Sequence, residues 1–314
     1  FGQMIGNPNV IAANSCSSAI SLALSMANIQ PNDEVICTAL TCLAVNESVL
    51  QTGANIIWAD IDPGTGNISP ESIQSRITKK TKAIVYSHWV GRLAEIGAIN
   101  RIAEEYQLKT IEDAAINFGA SVDDKFIGTL ADYGFFSFNL VKNLNTLNGG
   151  AIFIKDKVEF IKYTKNSKKI KFPIVVTLNL ILTVIILKIL CNNFFYQIFH
   201  YILNSIYKYR ITFVLKKIYP VLFHSFKTNI PDNYEYDFNW LMNDLGVHNL
   251  KKINEDLNSR KVKAMLYQKH LSEKKIKKFN FLGKENIFLE YPVMLKNFTN
   301  LEMHKILFDR GYDI

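Results

Sequence analysis

Apolar and polar residues follow two distinct patterns along the first 155 residues of the chain. Short apolar runs indicate buried strands, whereas apolar residues recurring every three or four positions indicate helices packed on a sheet. Strands are expected at residues 10–13, 34–37, 56–62, 82–86 and 109–113, and helices at about 15–24, 43–52, 70–77 and 95–106. This alternation predicts an α/β fold with a doubly wound, mostly parallel sheet. In such a sheet the functional site lies at the carboxyl ends of the strands, where Asn14, His88 and Asp113 are expected.

A different pattern follows between residues 156 and 232. A lysine-rich run leads into residues 173–187, which contain no charged residue, and the apolar character resumes after Lys188. A membrane-spanning helix needs about 20 apolar residues, so this run is too short for a full span. Asn192 and Asn193 interrupt the apolar stretch and can turn two helices back on each other, which predicts a helical hairpin.

Apolar residues return to helix-compatible intervals from about residue 238. We therefore predict a large domain at 1–155, a basic and apolar helical insertion at 156–232, and the start of a smaller C-terminal domain at 233–314. The sequence does not begin with methionine and ends within what reads as an unfinished element, so we expect this last domain to be incomplete.

The cysteines bear on the cellular compartment. Cys16, Cys37, Cys42 and Cys191 show no paired metal-ligand spacing, so we expect reduced thiols and no metal site. No basic and apolar leader with a cleavage site opens the sequence, which gives no indication of secretion. These observations together favour a cytoplasmic protein.

The net charge of +8 is concentrated in one segment. Residues 155–227 contain 13 Lys or Arg against Asp156 and Glu159, so the rest of the chain is slightly acidic. This distribution excludes a uniformly basic nucleic-acid-binding protein. Lysines flank the apolar run and aromatic residues lie in its second half, which favours peripheral contact with the inner face of a membrane through residues 172–226. The alternatives are a lid or dimer element buried in protein, or an insertion that no longer folds.

The residues that most clearly indicate a catalytic function lie at the end of the fifth predicted strand and after it. Asp113 ends that strand, and Lys142 follows 29 residues later, five residues after Ser137 and shortly before Gly149 and Gly150. Pyridoxal phosphate (PLP) requires a lysine that forms a Schiff base, an anion beside its pyridine nitrogen, and donors for its phosphate. This order of residues can supply all three.

Six short motifs occur in the first 155 residues. They are Asn14-Ser15-Cys16-Ser17-Ser18-Ala19, Leu40-Thr41-Cys42-Leu43-Ala44, Trp58-Ala59-Asp60-Ile61-Asp62-Pro63, Ser87-His88-Trp89, Ile111-Glu112-Asp113-Ala114-Ala115, and Phe136-Ser137-Phe138 with Lys142-Asn143-Leu144. In order and spacing they resemble the motifs of sugar-nucleotide aminotransferases of the DegT/StrS type, which are PLP-dependent enzymes of fold type I. The likeness covers residues 1–155 and returns weakly across 236–272. It implies the fold type I architecture, with a smaller C-terminal domain and the apolar insertion added.

The resemblance implies a role for each matching residue. Lys142 would carry the cofactor as a Schiff base, Asp113 would pair with the pyridinium nitrogen, and Ser137 would bind the phosphate. Ser17 and Ser18 would assist, because free amides and the helix dipole attract anions at a helix start. Relatives that dehydrate sugars carry histidine at the lysine position, so Lys142 favours amination.

Each of these residues also has an ordinary structural interpretation. Asp113 alone is better explained as a helix cap or a salt-bridged strand end, and Ser17 and Ser18 equally well as a serine N-cap. A solvated surface position is the usual fate of a lysine. The apolar neighbours of Lys142 argue against it, namely Phe136, Phe138, Leu140 and Val141.

Two further residues are candidate cofactor contacts. His88 follows a strand, so it either lines the cofactor or substrate pocket or packs with Trp89. Cys42 lies where many relatives place an aromatic residue beside the cofactor ring, and a branch of the family has cysteine there.

Two positions depart from the family pattern. The family usually has Gln or His near the phenolic oxygen of the cofactor where this chain has Ile116, which cannot form a hydrogen bond, and the adjacent Asn117 is expected to point elsewhere. The family also lends an Asn or Lys from the partner subunit to the phosphate where this chain has Glu235, whose charge would repel phosphate. Asn233 or Asn239 then substitutes, or the cofactor is held more weakly.

The resemblance implies a homodimeric, PLP-dependent aminotransferase that converts a nucleotide-linked keto-sugar to an amino-sugar. By the same resemblance, glutamate donates the amine and the product enters a surface polysaccharide or glycan. The alternative is a membrane-attached, catalytically weakened relative that acts as a binding or scaffold protein in the same pathway. Ile116 and Glu235 favour this alternative, whereas the joint presence of Lys142, Asp113 and Ser137 opposes it. A PLP enzyme acting on a non-sugar ketone also fits the sequence.

Overall fold

A computed structural model describes residues 1–167, 170–190 and 229–271, with short pieces and single residues between and beyond these ranges. Its main feature is a seven-stranded sheet. The strands of this sheet are β1 (Val10–Ala13), β2 (Glu34–Cys37), β3 (Asn55–Trp58), β4 (Thr81–Ser87), β5 (Lys109–Asp113), β8 (Tyr133–Ser137) and β9 (Gly150–Ile154). Two small hairpins lie outside it, formed by β6 (Ser121–Val122) with β7 (Lys125–Phe126) and by β10 (Ile276–Lys278) with β11 (Val293–Leu295).

The strand order across the main sheet is β1-β9-β8-β5-β4-β2-β3. The pairs β3–β2, β2–β4, β4–β5 and β5–β8 are parallel, whereas β9 is antiparallel to both of its neighbours, β8 and β1. The prediction of a mostly parallel α/β sheet is confirmed. Because β1 and β8 are both antiparallel to β9, β1 points the same way as the parallel strands. The carboxyl ends of β1, β2, β4, β5 and β8 therefore share one edge of the sheet.

Helices fill the connections between the strands, as the sequence predicts, and continue after the sheet. They are α1 (Cys16–Met26), α2 (Leu43–Gln51), α3 (Pro70–Arg76), α4 (Ile96–Glu105), α5 (Lys157–Asn166), α6 (Ile174–Leu190), α7 (Trp240–Leu250) and α8 (Ile253–His270). The predicted third strand is too long, because the chain leaves the sheet after Trp58. A turn follows in which the Asp62 carboxylate accepts a hydrogen bond from the Thr65 amide at 2.7 Å.

The sequence pattern does not predict β8 and β9. All of their residues are buried, and each is a five-residue run that contains a glycine, Gly134 or Gly150, so the pattern does not distinguish it from a turn or a buried helical segment. Their place in the sheet nevertheless decides the architecture of the site. β9 runs back between β8 and β1, and thereby places the strand that precedes Lys142 close to the strand that precedes α1.

The core lies on both faces of the sheet. On one face α1 packs against β8 and β9, with Leu24, Val35 and Phe135 among the buried side chains. On the other face a second cluster includes Ile84 and Ile99, where α4 covers the sheet. The carboxyl edge is thus held by packed elements on either side.

Gly150, the first residue of β9, lets the start of α1 approach the sheet. A Cβ atom at this position would lie 2.6 Å from the Phe136 carbonyl oxygen and 2.9 Å from both the Cys16 Cα and the Ser15 carbonyl oxygen. These are backbone atoms, which cannot move aside independently. We therefore expect Gly150→Ala to lower the free energy of unfolding by about 1–3 kcal/mol, the usual cost of overpacking, and to displace the start of α1.

Gly97→Ala is the matched control for this prediction. Gly97 lies in α4, and the nearest atom to its added Cβ would be Arg101 Nη1 at 3.6 Å. Alanine is favoured over glycine inside a helix by about 0.5–1 kcal/mol, so the control should be neutral or stabilising. Urea denaturation of both variants and the parent measures the effect. Equal midpoints for Gly150→Ala and the parent would contradict the prediction.

Helix α6 lies within the predicted insertion. Its Thr177 is buried and accepts a hydrogen bond from the Asn239 side chain, whereas most apolar side chains along α6 are exposed. The second helix of the predicted hairpin falls between residues 193 and 228, which lie outside the described residues apart from a few single positions. The hairpin and the three domain boundaries therefore stay predictions. Within the described ranges, none of the helices combines the length and apolar character needed to cross a membrane.

Candidate active site

The carboxyl end of β1 leads into a helix start built from serines. Ser15 is the N-cap of α1 and exchanges two hydrogen bonds of 3.1 Å with Ser18, each backbone amide donating to the other residue's hydroxyl. The Ser18 hydroxyl also donates to the Asn14 side-chain oxygen at 2.6 Å. Ser18 is therefore committed to shaping the helix start. The amides of Cys16 and Ser17 belong to the same first turn, and within the described part of the chain they have no hydrogen-bond partner.

Asp113 ends β5 with only 6% of its surface exposed. Its Oδ1 accepts a hydrogen bond from the Ala115 amide at 2.9 Å. Burial raises the pKa of Asp113 above its usual value, against the opposing effects of the Ala115 amide, His88 and Lys142. Among the described residues no Lys or Arg nitrogen lies within 4.0 Å of this carboxylate, so it is not a salt-bridged strand end. A cation placed beside Asp113 would stabilise its charged form.

Glu112 precedes Asp113 and faces the opposite side of the sheet. Its Oε1 accepts a hydrogen bond from His88 Nε2 at 3.0 Å, and its Oε2 accepts one from the Leu130 amide at 2.9 Å. His88 Nδ1 accepts a hydrogen bond from the Ala94 amide at 3.1 Å, so the ring proton is on Nε2. Glu112 and His88 have no exposed surface. Both ring nitrogens of His88 are thus used inside the protein, and its ring meets that of Tyr86 edge-on at 5.7 Å, which argues against a pocket-lining role. Packing with Trp89 stays a prediction.

Lys142 lies half-buried in the loop that follows β8. The expected apolar surroundings are present at Phe136 and Phe138, which are buried in or just after the strand. At Leu140 and Val141 the expectation is wrong, because these side chains are 41% and 67% exposed. The loop has left the sheet at this point, because β8 ends at Ser137. Lys142 is therefore partly accessible from solvent.

Cys16 is the residue around which the candidate groups meet. The Ser137 side chain lies near its thiol, and Asp113, Lys142 and Cys42 all lie close enough to act on it electrostatically. Burial and then the charge of Asp113 raise the pKa of Cys16, so the thiol stays protonated and neutral.

The sequence predicts no role for Cys16 itself. The available signal was its position as the first residue of α1, where a side chain faces the carboxyl edge of the sheet. Four of the predicted residues therefore lie together around Cys16, namely Asp113, Ser137, Lys142 and Cys42. Ser17 follows Cys16 in the same turn, whereas the hydroxyl of Ser18 and the ring of His88 are engaged elsewhere.

The turn after Asp113 contains the positions that depart from the expected pattern. Ile116 is half-buried. Asn117 has no exposed surface, and in the described part of the chain neither its side-chain oxygen nor its nitrogen has a hydrogen-bond partner. The Phe118 carbonyl oxygen accepts a hydrogen bond from the Asn143 side chain at 3.4 Å, which ties this turn to the residue after Lys142. Buried polar groups are normally paired, so the Asn117 side chain is an exception within the described structure.

Residues 1–165, just over half of the chain, match the sequence profile of the DegT/DnrJ/EryC1/StrS aminotransferase family. The chain belongs to this family. The DegT/StrS resemblance drawn from the six motifs is therefore confirmed. The match includes β1 to β9 and all the candidate residues gathered at the carboxyl edge.

Relatives and solved structures extend the comparison. The chain is 36% identical over 157 residues to the spore coat polysaccharide biosynthesis protein SpsC of Bacillus subtilis, which covers 50% of this chain and 40% of SpsC. The crystal structure of the aminotransferase TlmJ from Streptoalloteichus hindustanus superposes with a TM-score of 0.74 at 20% identity, over 99% of this chain and 72% of TlmJ. The Escherichia coli GDP-4-keto-6-deoxy-D-mannose-3-dehydratase with bound hydrated PLP gives a TM-score of 0.70 at 20% identity, over 100% of this chain and 74% of the dehydratase. The curated relatives are matched over only 39–40% of their own length.

PLP is the cofactor of the DegT/StrS family, and solved neighbours contain PLP or its amino form. The residues of this chain fit that group. Asp113 is a buried carboxylate with no cation of the described residues within 4.0 Å, and Lys142 is the nearby amine. The unpaired amides at the start of α1, with the Ser137 hydroxyl, suit a phosphate. Among the described residues, His, Cys, Asp and Glu form no cluster suited to a metal ion.

Proposed function

We propose that this chain is a PLP-dependent aminotransferase that replaces the keto oxygen of a nucleotide-linked sugar with an amine taken from glutamate. The observation that carries the proposal is that Asp113, a buried carboxylate with no Lys or Arg nitrogen of the described residues within 4.0 Å, lies near Lys142 at the same edge of the sheet. Membership of the DegT/StrS family supports the reaction class. The dehydratase neighbour acts on a GDP-linked keto-sugar, as its name states, which supports the nucleotide-linked substrate.

Each residue of the site has a defined task in this proposal. When bound, PLP supplies an electron sink for breaking the carbon–hydrogen bond next to the amine. Lys142 would hold the cofactor covalently and would carry the proton, on its Nζ, between the substrate and cofactor carbons. The negative charge of Asp113 would favour a protonated pyridine nitrogen. The amides of Cys16 and Ser17 and the hydroxyl of Ser137 would bind the phosphate, while Ser18 holds the helix start in place.

The biological context follows from the relatives. SpsC is named for spore coat polysaccharide biosynthesis, so we propose that the amino-sugar product enters a surface polysaccharide or glycan. We also propose a homodimer, as the family resemblance implies. A second candidate function, a catalytically weakened binding or scaffold protein of the same pathway, is favoured by Ile116, whose side chain cannot form the hydrogen bond expected near the cofactor's phenolic oxygen.

A visible absorption spectrum decides between these functions. The full-length protein is mixed with PLP, freed of excess cofactor, and recorded before and after addition of glutamate. The aminotransferase proposal expects a band from lysine-bound cofactor that shifts when glutamate is added, with aspartate and alanine as comparison donors. A folded protein without any band would refute the aminotransferase and leave the scaffold function.

We further propose that α6 contacts an anionic membrane surface. Its exposed apolar side chains include Ile174, Val175, Leu178, Leu182, Ile185 and Ile189, which are 50–63% exposed. Lys171 precedes this helix and Lys188 lies in its last turn, and both would be attracted to anionic headgroups. An exposed apolar face between two lysines is complementary to the interface of such a membrane.

Flotation with vesicles of phosphatidylcholine and phosphatidylserine tests the membrane proposal. Combined replacement of Leu178 and Ile185 by serine should weaken binding at least about 10-fold, because burying one such side chain contributes about 1.5–3 kcal/mol. Val158→Ser, at an exposed position of α5 outside this surface, is the matched control. If the double variant binds vesicles as well as the parent does, α6 does not contact the membrane. If the parent is a dimer and the double variant is a monomer, α6 is buried between subunits.

A further inference from the structure

The short segment before α7 lies against the start of α1. Residues Asp232–Glu235 form a single 3-10 turn that packs on α1. The backbone after the turn is fixed by pairing with Ile170: the Ile170 amide donates to the Glu235 carbonyl oxygen at 3.4 Å, and the Asp237 amide donates to the Ile170 carbonyl oxygen at 2.7 Å. Before it, the Tyr234 amide donates to the Pro231 carbonyl oxygen at 3.0 Å. Tyr234 is thus held from both sides over the first turn of α1.

The side chain of Tyr234 reaches the candidate phosphate site. Its side chain is half-buried, and its hydroxyl lies near the Ser17 side chain. Cys16 and Glu47 are its other electrostatic neighbours. Burial raises the pKa of Tyr234, so near neutral pH the phenol is protonated and can donate a hydrogen bond to an anion.

The residues that the sequence offers for this task are engaged elsewhere or exposed. Glu235 is exposed, so its carboxylate is accessible to solvent. Asn239 is buried as the N-cap of α7, where its Oδ1 accepts a hydrogen bond from the Leu241 amide at 2.7 Å and its Nδ2 donates to Thr177. The side chain of Asn233 lies outside the described residues. Tyr234 is the polar side chain of this segment that the described structure places at Ser17.

We infer that Tyr234 binds the phosphate group of the cofactor, acting with Ser17 and supplying from within the same chain a donor expected from the partner subunit. This inference rests on the proposed function. Tyr234 lies on the turn that packs against α1, beside the Ser17 side chain, and the unpaired amides of Cys16 and Ser17 belong to the first turn of that helix, where the helix dipole favours an anion. The Ser17 hydroxyl, now facing Tyr234, would then share a phosphate oxygen with it.

Cofactor affinity, measured without the amine-transfer reaction, tests this inference. Affinity is measured by absorption or fluorescence titration for PLP and for pyridoxal, which lacks the phosphate, using the parent and Tyr234→Phe. One hydrogen bond to a charged group is worth about 10- to 100-fold in affinity. We expect Tyr234→Phe to lose about this factor for PLP and to bind pyridoxal as the parent does. Phosphorus NMR of bound PLP should show a changed shift in the variant.

Tyr236→Phe is the matched control. Tyr236 is half-buried two residues away, where its ring meets Phe172 edge-on at 6.0 Å, and its hydroxyl is assigned no role. If Tyr234→Phe and the parent bind PLP with equal affinity, the inference is wrong and the proposed function still stands. The inference is also wrong if the variant loses affinity equally for PLP and pyridoxal, because that result would indicate a damaged fold. A parent protein that binds no PLP overturns the proposed function together with the inference.

Discussion

Replacing Lys142 with alanine should abolish the visible band that the parent protein gains with PLP, because the variant has no amine at the site to hold the cofactor covalently. Amine transfer from glutamate should fall by at least about 10²–10⁴-fold, the contribution of one positioned acid–base group. The rate should fall further if the covalent link to Lys142 also orients the cofactor. Absorption spectroscopy and single-turnover measurements with glutamate give the two readouts separately.

Two control variants separate the loss of the amine at position 142 from the loss of a positive charge and from the loss of any one lysine. Lys142→Arg keeps the positive charge near Asp113 but cannot form the covalent link, so it should lose the band as well. Lys125→Ala removes an exposed lysine of the same domain and should leave band and rate unchanged. A band that persists in Lys142→Ala would assign the cofactor link to another lysine and remove the basis of the proposed mechanism.

Asp113→Asn is expected to have the second largest effect. An opposite charge within a few ångströms shifts the pKa of its partner by about 1–3 units. Without the carboxylate, the pKa of the pyridine nitrogen should fall by this amount. Above the lowered pKa, the fraction of cofactor with a protonated ring should then be about 10- to 1,000-fold smaller. The rate of amine transfer should fall in parallel, whereas the covalent band should remain because Lys142 is intact.

The pH dependence of Asp113→Asn separates this effect from a damaged fold. Activity of the variant should recover as pH is lowered, since acid restores the ring proton that Asp113 otherwise maintains. Asp60→Asn, at an exposed position, is the control and should behave as the parent. A uniform loss for Asp113→Asn at every pH would indicate a structural role and contradict the assignment.

The sequence predicts most of the sheet because its strands are bounded by clear turns and helices. It does not predict β8 and β9, which lie next to each other in the sheet and are buried on both faces. Such runs show that a segment is interior but not which strand it will pair with. The antiparallel return of β9, on which the approach of α1 to Lys142 depends, is a long-range property of the fold.

The candidate site could be predicted at the level of motifs and less well at the level of contacts. Asp113, Ser137 and Lys142 can be chosen as candidates from the sequence because their order and spacing resemble those of the family. The positions of Cys16 and Tyr234 depend on which elements pack on α1, and local sequence does not report that. The hydrogen bonds of Ser18 at the helix start are also hidden in the sequence, since a serine that caps a helix and one that binds phosphate look alike.

Glu112 and Asp113 are adjacent acids with opposite surroundings, one hydrogen-bonded to His88 and the other near Lys142. Their separation depends only on the side-to-side alternation of β5, whose register is set by the pairing of Ser87 with Asp113 and of Tyr86 with Glu112. Inserting or deleting one residue within this strand would exchange the two carboxylates. Natural variants of this protein should therefore tolerate length changes in the turns around β5 and none within it.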